Sequence, residues 1–223
     1  MSRFSFGQIV QLVNSMEGNG YTADHLTKFG QLGENHNLFL AFLDGRAEIK
    51  INTILQFLSE VAIPATQRFV AKDKFVVNTK RNAPVKISYL GDNFTAWFLN
   101  GEGKIEDPIS EQTLRYHKLR QSSVDGSIIA ELGGEAKAET TLSEMFSLME
   151  KQKNGEDGCL LNNGYANIFY IKDQAFVLRT VYAYWNDGGW NVYARPVDYP
   201  ISWNPCLYVF SRNPLETLTL SKF

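Results

Sequence analysis

The sequence predicts an α+β fold in three parts. A helical segment over residues 1–65 leads into a mixed α/β region over 66–158 packed with it, and an aromatic-rich antiparallel β-meander follows over 159–223. Three observations carry this expectation. Apolar residues recur at helical spacing in the first third of the chain. Runs rich in β-branched and aromatic residues, some alternating with polar ones, begin after Pro64. Residues 159–223 hold 14 of the chain's 29 aromatic residues, which marks a separate small β unit.

The elements follow in order. Phe4, Ile9, Leu12, Val13 and Met16 recur at helical spacing, and the run stops at Gly18-Asn19-Gly20. Thr22 is placed to cap a short helix through Phe29, which Gly30 ends. Leu38, Leu40, Phe42 and Leu43 predict a third helix, and INTILQFLSEVAI (51–63) reads as a fourth, ending before Pro64. KFVVN (74–78) and PVKISYL (84–90) then read as strands. Asp92 is placed to cap a short helix through Phe98, a turn NGEGK follows, and TLRYHKLRQ (113–121) reads as a strand. Two helices come next, one across SIIAEL to Gly133-Gly134 and one over 142–152. In the second, Thr141-Leu-Ser-Glu144 fits a capping box, and Leu142, Met145, Phe146 and Met149 share a face. KNGEDG (153–158) has linker composition. Four strands close the chain: ANIFYI, FVLRTVYAYW, WNVYARPV and LYVFSR.

Composition narrows the function classes. Net charge is −2, so the chain as a whole is not built to coat nucleic acid. The charge is uneven, with 10 Lys/Arg against 6 Asp/Glu in residues 66–120 and 3 against 8 in 121–158. No stretch is long and apolar enough for a membrane span, and the opening residues lack a signal-peptide cleavage site. Cys159 and Cys206 are expected as free thiols. His25, His36 and His117 lie in different elements without ligand spacing, so neither a metal nor a cofactor is expected. NGEGKI (100–105) is no phosphate loop, because Phe98 stands where the first glycine is needed and Ile105 where Ser or Thr is needed.

Several blocks, RAEI (46–49), VKISYLGDNF (85–94), LRYHKL (114–119), AETTLSEMFSLMEKQ (138–152), NNGYANIFYI (162–171) and WNVYARPV to VFSRN (190–213), together resemble a group of uncharacterised bacterial proteins abundant in the candidate-phyla-radiation lineages. The resemblance covers most of the chain and is plainest in its C-terminal block, which in that group follows different upstream segments. It implies a module boundary near residue 158 and a bacterial, cytoplasmic setting. It brings no activity with it.

Two surfaces remain as candidates. Trp185 and Trp190 flank the Asn186-Asp187-Gly188-Gly189 turn and are expected to face each other across a hairpin. A lone sheet of three or four strands has one side to bury. Some of Tyr182, Tyr184, Trp185, Trp190, Tyr193 and Trp203 are therefore expected to remain open and bind a partner, taken to be another protein. The chain then reads as a non-enzymatic interaction module. The first alternative is nucleic-acid binding by Lys80, Arg81, Lys86, Arg115, Lys118 and Arg120, should their strands be neighbours. The second is an enzyme of unrecognised class.

Overall fold

The computed structural model describes residues 5–18, 22–31, 41, 44 and 53–212. Its contacts divide the chain into two compact units, Met1–Asn52 and Thr53–Phe223.

In the first unit, helix α1 spans Phe6–Gly18 and α2 spans Ala23–Gly30. Each begins with a reciprocal cap. Ser5 Oγ accepts from the Gln8 N–H while the Gln8 side chain accepts from the Ser5 N–H. Thr22 and His25 make the same exchange at α2, with the His25 ring in the place usually held by Glu or Gln. The helix expected over 38–43 lies outside the described residues.

Among the described residues the second unit holds one eight-stranded sheet and a separate two-stranded one. Strand β1 (Leu55–Ile63) replaces the helix expected over 51–63. That apolar run is too short for periodicity to separate strand from helix, and pairing decided it. β1 lies antiparallel to a later strand, from Leu55 opposite Leu119 to Ile63 opposite Gln112. Then come β2 (Phe69–Val70), α3 (Ala71–Lys74), β3 (Ile87–Leu90) and α4 (Asp92–Phe94), which runs on as a π-helical turn, Thr95–Leu99. KFVVN is not a strand. Val76 and Val77 are exposed, and only Asn78 bridges, to Ile87. After β4 (Ile105–Glu106) and β5 (Gln112–Leu119) come α5 (Asp125–Glu131), α6 (Glu135–Ala138), β6 (Glu139–Thr140) and α7 (Leu142–Lys151). The capping box at Thr141 and Glu144 is present. The buried Glu106 carboxylate adds to it by accepting from the Leu142 and Ser143 N–H groups. The last strands are β7 (Asn167–Lys172), β8 (Leu178–Asn186), β9 (Gly189–Pro196) and β10 (Tyr208–Ser211).

The strand order is β1-β5-β10-β7-β8-β9-β3, with β6 also paired to β7. Strands β7, β8 and β9 pair antiparallel in chain order, but β10 does not continue them. It crosses back to lie parallel to β7 and antiparallel to β5. Residues 159–212 are therefore the middle of a larger sheet rather than a separate β domain, and the boundary expected at 158 is not a sheet boundary. The compact-unit boundary falls at 52/53 instead of 65/66.

Both sides of the sheet are covered. On the front, Phe169, Ile171, Val181, Ala183, Val192 and Phe210 pack against α7, Phe94 and Phe98. On the back, Ile168, Tyr170, Leu178 and Val209 meet Ile128, Ile129 and Leu132 of α5 and its C-terminal end. This corrects the expectation of a single dry side, and it explains why neither face of β8 has a polar pattern.

Candidate functional site: a tyrosine face and its cleft

Trp185 and Trp190 are directly opposite each other, as expected, with ring centroids 5.4 Å apart at 79°. The loop between their strands is only Asp187-Gly188, and both residues have positive φ (53° and 78°), as a type I′ hairpin requires. The pair is structural. Trp190 is fully buried, and its Nε1–H donates to the Gln152 carbonyl at 3.1 Å. Gly155 packs on the Trp185 ring so closely that an added Cβ would sit 2.3 Å from it. KNGEDG is thus a packed loop, folded over the hairpin by the Trp190 bond, by Lys86 N–H donating to the Lys153 carbonyl, and by the buried Gln152 amide. Trp190, expected among the partner-binding rings, therefore offers no open surface, and Gly155 covers part of Trp185.

The remaining rings form one cluster on the back of β8, β9 and β3. Tyr193 stacks on Tyr182 (5.3 Å, 11°) and on Tyr184 (5.6 Å, 9°), and Tyr89 of β3 leans against it (5.3 Å, 36°). Trp203 closes on Tyr182 edge-on at 5.0 Å. Tyr182, Tyr184, Tyr193 and Trp203 are half-buried, while Tyr89 and Tyr199 are 43% and 40% exposed. The rings stack on one another and so cover part of their own faces. Tyr184 Oη donates to Tyr193 Oη at 3.2 Å. Burial among the rings, and then the bond to Tyr184, push the Tyr193 phenol well above its usual pKa. Burial raises Tyr182 as well. These hydroxyls stay protonated around neutrality and act as neutral hydrogen-bonding groups.

A buried carboxylate anchors the cluster. Asp125, fully buried at the start of α5, accepts from Arg195 Nη2 at 2.6 Å, Trp203 Nε1 at 2.8 Å and Tyr170 Oη at 3.0 Å. The Arg195 guanidinium lies 3.7 Å from the Trp203 ring centroid. A charge buried this deeply is tolerable only with such a full set of partners. Tyr170 is pushed well above the usual phenol pKa, first by burial and then by the Asp125 charge. Beside this anchor a cleft of about 410 Å³ opens, lined by Tyr89, Asp92, Asn93, Tyr193, Ala194 and Tyr199 among others. The sequence pattern missed Tyr89, Tyr199, Arg195 and Asp125. The alternation that put Tyr89 on a strand carried no sign that β3 would lie beside β9.

The basic residues do not converge as the alternative required. β3, which follows Lys86, is one edge of the sheet, and β5, which carries Arg115 and Lys118, is next to the other edge. Four strands separate them, a distance of about 24 Å at ordinary strand spacing. Arg115 is moreover paired with Glu60 at 2.8 Å and lies over Phe57. Lys80, Arg81 and Arg120 are exposed.

Cys159 and Cys206 are free thiols, and burial pushes the Cys159 thiol up, away from nucleophilic character. Among the described residues no three His, Cys, Asp or Glu side chains group as metal ligands, and no helix is long and apolar enough to cross a membrane. Compared with known proteins, the chain matches no family model, no curated protein and no solved structure.

Proposed function

We propose that the chain is a non-enzymatic protein-interaction module that works through the tyrosine face of β8, β9 and β3. The observation that carries the reading is the contiguous, partly open cluster of Tyr89, Tyr182, Tyr184, Tyr193, Tyr199 and Trp203. Tyr and Trp are enriched at protein interfaces because they offer large apolar area, a polar tip and little rotamer entropy to lose. Arg195, the half-buried cation beside the cluster, is paired with Asp125, so its charge is already engaged rather than free for phosphates.

The test is affinity capture with the intact protein and with a Tyr89→Ser, Tyr193→Ser variant. Specific partners should be lost about tenfold or more, the weight of a central aromatic contact, while the variant still unfolds cooperatively. Equal capture by a folded variant would sink the reading.

A further inference from the structure

The backbone of β9 faces two ways, and on its outward side Ala194 has no hydrogen-bond partner among the described residues. In a hairpin closed by a two-residue turn, the flanking pair, here Asn186 and Gly189, is hydrogen-bonded. Alternate residues of β9 from Gly189 onward therefore bond to β8, and Trp190, Val192 and Ala194 turn their N–H and C=O groups outward. The first two are met. Trp190 N–H donates to the Lys86 carbonyl, and the Val192 carbonyl accepts from Gly91 N–H, both at 2.8 Å. There β3 ends, because the chain turns at Gly91 into α4. Ala194 is next in the series. It is only 6% exposed, it lines the cleft, and among the described residues no hydrogen bond reaches it on that side. A backbone group without a protein partner is left to water or to a ligand, and most such groups in folded proteins are paired.

We propose that the β9 edge beyond Val192 is a docking site for an extended segment of a partner protein. This deepens the interaction reading and rests on it. The segment takes up the line of β3 where β3 leaves off and exchanges backbone hydrogen bonds with Ala194. Its alternate side chains rest against Tyr89 and Tyr193, whose ring edges and hydroxyls flank the cleft. Flat rings or sugars, which need open aromatic faces, suit the site poorly because the tyrosines cover each other. Charge sets the preference for the segment. Arg195 is held by Asp125, while Asp92 on the rim is exposed and joins none of the ion pairs among the described residues. The segment therefore carries a Lys or Arg toward Asp92.

The experiment uses the full chain and a displayed library of random linear decapeptides. In the free protein the Ala194 amide should exchange hydrogen about tenfold or more faster than that of Val192, and a selected peptide should slow it by a similar factor. N-methylation should weaken binding by about tenfold at the one peptide residue whose N–H meets the Ala194 carbonyl and little elsewhere, because the Val192 carbonyl is taken by Gly91 and the Pro196 carbonyl by Tyr199. Asp92→Asn should weaken basic peptides several-fold. An Ala194 amide already protected in the free protein, N-methyl effects spread evenly along the peptide, or a library that yields no binder overturns the proposal. If any of these occurs while capture still depends on Tyr89 and Tyr193, strand addition fails alone. If capture is also unchanged in the tyrosine variant, the interaction reading fails with it.

Discussion

His117 of β5 is fully buried, and neither ring nitrogen meets a partner with hydrogen-bonding geometry. Burial pushes its pKa down from 6.5 to about 4, opposed by the neighbouring Val209 backbone and assisted by the Arg115 charge. The folded value lies below the unfolded one, so the unfolded chain takes up the proton first. Stability is whole above pH 6.5 and drains away as pH falls toward 4. His117→Leu should flatten that loss by about 1–3 kcal/mol relative to the native chain, measured by denaturation at pH 7 and pH 4.5. Phe176 holds φ at 61° on the β7–β8 turn and is 80% exposed, so Phe176→Gly should stabilise the fold by about 0.5–1 kcal/mol. Gly155 is the opposite case, with φ at 75° and no room beside Trp185. Gly155→Ala should cost roughly 2–4 kcal/mol by urea denaturation, from crowding and left-handed strain together.

Among the elements, the hairpin of β8 and β9 serves two structures at once. Its front pair, Trp185 and Trp190, clamps the 152–158 loop, while its back pair, Tyr182 and Tyr193, forms the centre of the proposed binding face. Period-two alternation lets one strand do both, since adjacent residues point to opposite sides. Trp190→Ala should cost about 3–5 kcal/mol and loosen the loop, visible as faster amide exchange at Lys86 and Gly155. Tyr193→Ser should touch binding far more than fold. The capping box of α7 was legible because Thr141 and Glu144 are three residues apart, a purely local signal. The role of Glu106 at the same helix end was not legible, because it lies 36 residues away.

At the scale of the whole molecule, β10 is the keystone of the topology, since among the described residues it alone joins β5 to β7. A chain cut after Gly158 should leave neither piece with a cooperative unfolding transition by circular dichroism. Residues 53–223, by contrast, should retain one. The same strand order scatters the cations of residues 80–120 along the sheet. Heparin should accordingly release the protein by about 150 mM salt, where screening removes weak, dispersed contacts.

What the sequence determined by itself was local. It settled most helix ends, the Asp187-Gly188 reversal, the facing tryptophans and the four C-terminal strands, because caps, turns and alternation act over a few residues. The tertiary structure decided everything that depends on which strand lies beside which. Pairing made β1 a strand despite an ambiguous apolar run, and it carried β10 back between β5 and β7. It also brought Tyr89 against Tyr193 and Asp125 against Arg195, and it left the outward side of Ala194 without a hydrogen-bond partner among the described residues. Those outcomes depend on long-range hydrogen-bond register and on burial of both sheet faces, and neither is encoded within any one stretch of chain.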